Sequence, residues 1–329
     1  MNGPSAEAAG TAAEPRVAVV ILNWNGWRDT VTAVQSVRAA SGPPPLLLVV
    51  DNGSGDDSEA HLRAWDPGLH IVQTGANLGW SGGNNCGIRA AQAAGCEQVL
   101  LLNSDTRLHP DALGLLVQAL QSHPQAACAG ALVVDASDID RVEFGGARID
   151  PRTAMPVHLH GRRAALHLPA QPVACATVKG CAMLLSATGL ARVGLLTEDY
   201  FLNYDETDWC CRARALGLDC LLVPQAVVEH RGAVSFGGTS GPLYRYFITR
   251  NRLLFARRHL GLRGRIYAWR GALWELRQAL AGTATGLSRQ ARAGARMRVA
   301  AAVLLAVLDH LRRRWGDCPA VVRRWNAKR

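Results

Sequence analysis

The sequence contains no apolar run long enough to cross a bilayer and no cysteine spacing typical of a disulfide framework or a zinc ribbon. Its longest late apolar run, 299–308, is shorter than the roughly 20 residues that a membrane helix needs. Nine cysteines form an odd set without a CxxC pair, and Cys210 and Cys211 are adjacent. This pattern favours reduced thiols in a cytosolic setting.

The start of the chain also lacks the features of a secretory signal. Residues 1–15 are rich in alanine and glycine and carry acidic side chains, without a basic start or an apolar centre. We therefore expect a short disordered lead over 1–15.

Acidic residues are scarce at the other end of the chain. From Arg245 onward, 20 Lys and Arg residues face only three acids, for a net charge of +17, whereas the first 244 residues carry −7. We expect the two parts to meet different partners.

Two apolar runs end abruptly in small polar residues and a carboxylate, at Leu46–Asp51 and at 99–105. An unbroken apolar run is typical of a strand buried on both faces of a parallel sheet. Ligands of open α/β sheets bind beyond the carboxyl ends of the strands. We expect Asp51 and Asp105 to lie at two neighbouring strand ends, with a divalent cation and a phosphate-bearing ligand between them.

The rest of the first 230 residues alternates strand and helix patterns. Predicted strands cover 17–22, 46–51, 70–73, 99–102 and 220–230, and predicted helices cover 29–40, 58–65, 86–94, 110–122 and 205–216. Residues 128–175 are less regular and predict a second, partly antiparallel layer beside the sheet. The alternation predicts an α/β fold with a mostly parallel central sheet flanked by helices.

Beyond Tyr244 the pattern changes to basic amphipathic helices. We expect one large domain over 16–258 and a basic helical extension over 259–329. Apolar residues recur at spacings of four and three along 262–280, which is typical of a helix that packs on the domain or on a partner helix. The alternative is a peripheral contact with an anionic membrane surface through tryptophans and arginines. No nucleic-acid-binding motif accompanies the charge, and we expect no nucleic-acid partner.

Seven short motifs follow one another between residues 17 and 255. They are LNWNG at 22–26, VDNGS at 50–54, NLGWSGGNN at 77–85, LNSDT at 102–106, GCAM at 180–183, DETDW at 205–209 and HRGAVS at 230–235. This ordered series resembles the family 2 inverting glycosyltransferases with the GT-A fold, in particular the bacterial rhamnosyltransferase-like branch. The resemblance implies a Rossmann-like sheet, a nucleoside-diphosphate sugar donor and a divalent metal, Mn²⁺ or Mg²⁺.

The resemblance assigns the donor nucleotide to a set of polar and small residues, namely Asn23, Asn25, Asp51, Asn77, Gly79, Gly83, Asn84, Asn103 and Ser104. Asp51 is expected to accept hydrogen bonds from the base or the ribose. Its alternative role is to cap a turn. The stretch 79–85 is expected to supply backbone N–H groups just before a helix, although its glycines also suit a simple turn.

The resemblance makes Asp105 and His230 the metal ligands. Asn103 stands at the first acidic position of the family's DXD-type motif, so this motif supplies one carboxylate only. An oxygen and an imidazole nitrogen suit Mn²⁺, and oxygen suits Mg²⁺. The alternatives are that Asp105 caps a turn and that His230 is structural.

Asp205 and Glu206 are adjacent, so they point about 100° apart on a helix and perform different tasks. By resemblance Glu206 is the general base that deprotonates the acceptor hydroxyl, and Asp205 is the second candidate. Gly180, Asp208, Arg250 and Asn251 are assigned to the acceptor or the diphosphate. The alternative for one of the three acids is a favourable contact with the helix dipole.

These assignments predict an inverting glycosyltransferase at the cytoplasmic face of the cell membrane. The favoured donor, by resemblance alone, is dTDP-rhamnose, and the favoured acceptor is a polyprenyl-linked or cell-envelope glycan. A sugar nucleotidyltransferase is the enzymatic alternative, but the sequence lacks a glycine-rich, lysine-bearing triphosphate loop near its first strand. A non-catalytic membrane-surface scaffold is the other alternative, and the presence of Asp51, Asp105, Glu206 and His230 argues against it.

Overall fold

A computed structural model describes residues 16–150, 152, 155–162, 168–232, 241–281 and 289–327. The expected disordered lead and the end of the last motif, 233–235, lie outside these residues. The strands are β1 (Val17–Asn23), β2 (Leu46–Asp51), β3 (His70–Gln73), β4 (Gln98–Asn103), β5 (Thr106–Leu108), β6 (Ala126–Asp135), β7 (Asp138–Phe144), β8 (Ala147–Asp150), β9 (Met155–His158), β10 (Gly161–Arg162), β11 (Val173–Ala174), β12 (Ala182–Leu185) and β13 (Asp219–His230). The helices are α1 (Trp27–Arg38), α2 (Ser58–Trp65), α3 (Gly79–Ala93), α4 (Ala112–Ser122), α5 (Ala187–Val193), α6 (Asp205–Ala215), α7 (Pro242–His259), α8 (Leu262–Ala281), α9 (Arg289–Leu311) and α10 (Ala320–Ala327).

One mixed sheet of 11 described strands forms the centre of the molecule, in the order β10-β7-β6-β12-β4-β1-β2-β3, with β13 beside β6. The strands β4, β1, β2 and β3 run parallel to one another. The antiparallel strand β12 separates this half from β6. The carboxyl ends of β1, β2 and β4 therefore meet at one edge, as the sequence predicts.

Side chains alternate between two apolar cores on the two faces of the sheet. Val19 and Ile21 of β1 pack with α1 and α4, whereas Ala18 and Val20 pack with α3 and α6. All four are fully buried. This alternation is what an unbroken apolar strand produces when helices cover both faces.

The segment 128–175 differs from the sequence prediction. Its first part continues the strand β6, which lies inside the central sheet and is buried along nearly its whole length. In the described part of this segment, the hairpin β8–β9 forms a separate two-stranded sheet. The apolar run at 126–134 was hidden because alanine and glycine weaken its strand signal.

Helix α3 begins at Gly79, seven residues before the predicted start, so the glycine-rich stretch is helical and the expectation of a loop there is wrong. The glycines allow close packing on the sheet. A Cβ at Gly87 would lie 2.3 Å from Cγ1 of Val20, and one at Gly83 would lie 2.4 Å from Cδ1 of Leu22. Gly83 therefore lies against β1, which corrects its assignment to the donor nucleotide.

The C-terminal helices share apolar clusters with the preceding domain. Phe201 and Phe247 stack at 5.4 Å and pack with Ala302 of α9 and Val322 of α10. The predicted packing of the extension is thus present on one side, while other apolar residues of α8 remain exposed. Within the described residues, no helix combines the length and the apolarity that a membrane span requires.

Candidate active site

The strand ends that carry Asp51 and Asp105 are not neighbours. Strand β1 lies between β2 and β4, with Asn23 in register with Asp51 and Leu22 in register with Asn103. The axes of β2 and β4 are therefore about 10 Å apart, since neighbouring strands are roughly 4.8 Å apart. The prediction of two adjacent carboxylates with one cation between them is wrong, and each carboxylate has its own surroundings.

Asp51 is held by side chains of three neighbouring segments. Nδ2 of Asn23 donates to its Oδ1 at 2.9 Å, Nε2 of Gln73 donates to its Oδ2 at 2.6 Å, and the hydroxyl of Ser54 also donates to Oδ1. Oδ1 of Asn23 in turn accepts from Thr30 at 2.8 Å. Asp51 is only 2% exposed, so these donors compensate for the burial of its charge.

Two loops beyond this edge are joined by Asn25. This residue has a positive φ of 53°. Its backbone N–H donates to Ser54 at 3.0 Å, and its Oδ1 accepts from the N–H of Gly55 at 2.7 Å. Ser104 is near this loop, because its Oγ lies 3.9 Å from the position of a Cβ at Gly26. Asn25 and Ser104 are therefore at the sheet edge predicted for the donor.

Asn77 and the unpredicted Asn52 shape the entry to α3. Oδ1 of Asn77 accepts from the N–H of Gly79 at 2.9 Å. The buried Asn52 accepts from the N–H of Leu78 at 3.0 Å and donates to the carbonyl of Gly79 at 3.0 Å. Gly79 has a φ of +74°, and a Cβ there would lie 2.3 Å from the carbonyl oxygen of Phe201. Both asparagines thus hold backbone in place.

Trp80 is the main site residue that the sequence analysis missed. Nε1 of Trp80 donates to Oδ1 of Asn103 at 2.8 Å. The backbone carbonyl of Trp80 accepts a hydrogen bond from Nδ2 of the buried Asn84 at 2.9 Å. A Cβ at Gly180 would lie 2.9 Å from Cζ2 of Trp80 and 3.6 Å from Cβ of Glu206. The indole fills the space that Gly180 leaves, which corrects the expectation that a sugar approaches this glycine. Asn84, 1% exposed, likewise faces the protein interior.

Asp205 and Glu206 begin α6 and face different surroundings. Asp205 is 1% exposed and accepts a hydrogen bond from Ser81 of α3. Burial and the adjacent charge of Glu206 raise the pKa of Asp205 to about 8. Glu206 is half-buried, and desolvation raises its pKa above the ordinary range while the charge of Lys179 acts in the opposite direction. Glu206 is therefore the more accessible carboxylate.

Asp208 is a structural residue in this arrangement. It accepts hydrogen bonds from Thr197 at 2.7 Å, Tyr200 at 3.0 Å and Arg212 at 3.0 Å, and His259 donates to it at 2.7 Å. Burial favours its neutral form, but the hydrogen bonds from His259 and Thr197 and the charge of Arg212 outweigh it and lower the pKa to about 2. With 1% exposure, it joins α6 to α7, which corrects its assignment to acceptor or diphosphate.

Arg250 and Asn251 of α7 are also fully buried. Nη2 of Arg250 donates to the carbonyl of Tyr200 at 3.0 Å, and its Nη1 donates to the carbonyl of Gly316 at 2.7 Å. Nδ2 of Asn251 is directed at a run of backbone oxygens, those of Tyr200 at 2.9 Å, Leu202 at 2.7 Å and Asn203 at 3.0 Å. The expectation that this pair contacts diphosphate is corrected, because its polar atoms bind the protein's own backbone.

The segment that these side chains hold has an unusual backbone. Phe201, Asn203 and Tyr204 have φ values of 65°, 68° and 73°. Such values are costly for residues other than glycine and persist where the surroundings enforce them. The carbonyl of Phe201 also accepts from the N–H of Trp80 at 2.7 Å. The segment 199–204 therefore connects the start of α3 to the start of α6, where Glu206 lies.

A second cluster surrounds Asp105. Nε2 of His230 lies 3.5 Å from Oδ1 of Asp105, and its Nδ1 lies 2.9 Å from Oε2 of Glu143. Burial disfavours the charged forms of Asp105 and His230, but the hydrogen bond and the charge attraction between them have the larger effect on both pKa values. The pKa of Asp105 is therefore lowered and that of His230 is raised to about 9.

This donor set fits Mn²⁺. A carboxylate oxygen and an imidazole nitrogen face each other, and Glu143 binds the far side of the ring, as is usual for metal-ligating histidines. Sequence motifs indicate Asp105 and His230 but not Glu143. Its strand, β7, carries no motif, and β7 comes near β13 because both strands pair with β6, one on each side.

Comparison with known sequences identifies the first half of the chain. The family model "Glycosyl transferase family 2" matches residues 18–165. A low-salt glycan biosynthesis hexosyltransferase of Haloferax volcanii is 26% identical over 60% of this chain and 61% of its own length. An N-acetylglucosaminyl-diphospho-decaprenol L-rhamnosyltransferase of Mycobacterium tuberculosis is 27% identical over 75% of this chain and 84% of its own. A dTDP-rhamnosyl transferase of Shigella flexneri is 22% identical over 65% and 71%.

Two solved structures share the fold. GalNAc-T7, determined with UDP, GalNAc and Mn²⁺, superposes with a TM-score of 0.59 at 13% identity, covering 93% of this chain and 59% of that one. A mannosyltransferase of Pyrobaculum calidifontis, in complex with GDP-Man and Mn²⁺, superposes with a TM-score of 0.54 at 16% identity, covering 92% and 88%. The family match thus covers residues 18–165, just under half of the chain, and the chain shares the GT-A fold of these two glycosyltransferases.

Proposed function

We propose that this chain is a glycosyltransferase that moves a hexosyl group from a nucleoside-diphosphate sugar to a polyprenyl-linked or cell-envelope glycan, with inversion at the anomeric carbon. The favoured donor is dTDP-rhamnose, because two of the relatives are named as rhamnosyltransferases. The observation that carries the proposal is the position of Glu206, half-buried beside Trp80 at the sheet edge where β1, β2 and β4 end.

Glu206 acts as the general base. A sugar hydroxyl is a poor nucleophile, so a carboxylate that removes its proton during attack accelerates transfer. Direct attack on the anomeric carbon inverts its configuration. Asp205 is unsuited to this task because it is buried, bonded to Ser81 and protonated at neutral pH by virtue of its raised pKa.

Asp51 orients the nucleoside. Its oxygens already accept from Asn23, Ser54 and Gln73, which fixes the carboxylate rigidly at the end of β2. A carboxylate oxygen has more than one lone-pair direction and can accept a further bond from a ribose hydroxyl or a base N–H. Asn25 and Ser104 line the same edge.

Asp105 and His230 would hold the divalent metal, with Glu143 fixing the orientation of the imidazole. When bound, the metal neutralises charge on the departing diphosphate. The protein's own part is positional, since the carbonyl of Asp105 accepts from the N–H of Arg231 at 3.1 Å and so keeps the two ligands adjacent.

Arg250 and Asn251 act as positioning residues. They hold the strained segment 199–204, whose other contacts reach Trp80 and the start of α6. In this way the segment sets the distance between the donor side of the site and Glu206.

A panel of nucleotide sugars, with and without Mn²⁺, tests the donor. The expected result is that dTDP-rhamnose with Mn²⁺ gives the largest rise in melting temperature, because stabilisation grows with ligand occupancy. Transfer to a polyprenyl-diphosphate-linked sugar should then give the inverted anomer by NMR. Retention of configuration would overturn the inverting mechanism. A clear preference for another nucleotide sugar would overturn dTDP-rhamnose as the donor.

We further propose that α8 and α9 place the enzyme peripherally on the cytoplasmic face of an anionic membrane. Leu262, Leu273 and Trp274 are 75%, 49% and 59% exposed. Arginines such as Arg270 and Arg277 flank them, in a part of the chain with a high positive charge. An exposed apolar ridge beside arginines suits the interface between acyl chains and anionic headgroups.

A further inference from the structure

Three buried cysteines converge behind the helix that carries Glu206. Cys128 comes from β6, Cys210 from α6 and Cys220 from β13, and their sulfur atoms all lie within 4.8 Å of one another. Each residue has 0% exposure. They are far apart in sequence, so no CxxC spacing marks them. They contact one another because α6 packs over the β6–β13 pair.

The three thiols lie in the interior, where α6 meets the sheet. Sγ of Cys220 donates to the carbonyl oxygen of Cys210 at 3.8 Å, which holds β13 against α6 beside the cluster. Because none of the three side chains is exposed, their sulfur atoms face one another in an enclosed, water-poor environment.

We propose that Cys128, Cys210 and Cys220 bind one Zn²⁺ ion as a structural site. Zn–S bonds of about 2.3 Å in tetrahedral geometry separate two sulfur atoms by about 3.8 Å, which the observed cluster accommodates with little movement. Soft thiolates select Zn²⁺ over the hard cations suited to the carboxylate site. Binding converts three thiols to thiolates and releases three protons, leaving a net charge of −1 on the metal centre.

Cys175 is the candidate for the fourth ligand that Zn²⁺ usually takes. It is half-buried, and its backbone N–H donates to the carbonyl of Cys220 at 2.8 Å. As a fourth thiolate it would release a fourth proton and bring the net charge of the centre to −2. A single disulfide within the cluster would leave one of the three thiols unpaired, whereas a metal uses all of them. The site would join α6 to β6 and β13 one helical turn after Glu206.

The metal itself provides the test, independently of transferase activity. The full chain is purified without chelators, and zinc is measured by plasma mass spectrometry. The expected content is about one Zn²⁺ per chain after dialysis. The chain is also unfolded and refolded with Co²⁺ in place of Zn²⁺, which should produce a sulfur-to-cobalt charge-transfer band and tetrahedral d–d bands. Removal of the metal should lower the melting temperature by about 5 °C or more.

Cys210→Ala and Cys210→Ser should lose the zinc and the cobalt bands, whereas Cys96→Ala should keep both. Cys96 is the matched control, because it is also a buried cysteine (6% exposed) but lies outside the cluster. Wild-type protein that holds no zinc and shows no cobalt band after refolding would overturn the proposal, whatever the variants do. Equal metal content in folded Cys210→Ala and wild type would overturn it as well.

Discussion

Glu143 accepts a hydrogen bond from Nδ1 of His230 at 2.9 Å, and this contact directs Nε2 of the ring towards Asp105. The pair joins β7 to the end of β13. A carboxylate behind a ligating imidazole fixes the ring and increases its basicity. Glu143 is therefore expected to matter for metal affinity although it does not face the metal.

Glu143→Gln should raise the Mn²⁺ concentration that gives half-maximal transfer by about 10–100-fold. At saturating Mn²⁺, kcat should stay close to that of the wild type. Initial rates over a Mn²⁺ titration measure the effect. Glu229→Gln is the matched control, because Glu229 lies on the same strand as His230 but pairs with Arg107 and His109. EDTA should abolish the activity of the wild type, and full activity in chelator would show that the metal assignment is wrong.

Glu206→Gln should reduce kcat by about 10²–10⁴-fold, because the amide cannot take a proton from the acceptor. Donor binding, measured by calorimetry, should not change. The adjacent Asp205→Asn should retain most activity and the same or a higher melting temperature, because Asp205 is already held in its neutral form. The opposite ranking of the two variants would transfer the role of base to Asp205.

The acid limb of the pH–rate profile should lie above the ordinary range of a glutamate. Burial raises the pKa of Glu206, and its base function requires the ionised form. As pH falls through this raised pKa, Glu206 takes up a proton and the rate declines. Measuring kcat/KM from pH 4 to 9 tests this. A plateau that extends down to the pKa of a free glutamate, about 4.3, would contradict it.

Asn251→Ala should lower the free energy of unfolding by about 2–4 kcal/mol, because it removes a fully buried amide that donates to the backbone oxygens of Tyr200, Leu202 and Asn203. Activity should fall as well, since the segment 199–204 loses its support. Denaturant titration and steady-state kinetics measure the two effects. Gln35→Ala, on the exposed face of α1, is the control and should change stability by no more than about 0.5 kcal/mol. Unchanged stability in Asn251→Ala would show that its contacts contribute little.

The double variant Leu273→Ser and Trp274→Ser should bind less to vesicles that contain anionic lipid, measured by co-sedimentation. Leu216→Ser is the matched control, since Leu216 is 44% exposed and lies at the end of α6 rather than on α8. The binding should weaken with salt, because screening reduces the contribution of the arginines. If the double variant binds as well as the control, the apolar ridge of α8 is not the membrane contact.

The sequence predicted the sheet best where side chains are buried on both faces. The unbroken apolar runs before Asp51 and Asn103 need no tertiary information to indicate strands. Helix α3 was placed too late because glycine opposes helix formation in isolation, whereas here it permits contact with β1. That advantage exists only once the helix lies on the sheet.

The candidate site was predictable where a motif itself bears the acid, as with Asp105 and Glu206. Trp80 and Glu143 were missed because their roles depend on partners from distant segments. Arg250 and Asn251 were predicted as a pair but assigned to the wrong contact. A motif shows which residues occur together, and it does not show whether they face a substrate or the protein's own carbonyls.

The guanidinium of Arg250 binds the carbonyl of Gly316 and the carbonyl of Tyr200 at the same time. One side chain thus connects the turn after α9 to the segment that precedes Glu206. A chimaera that joins this catalytic domain to the C-terminal helices of another transferase would break this connection. To exchange C-terminal helices between related enzymes, one would therefore have to transfer residues 199–204, α7 and the turn around Gly316 together.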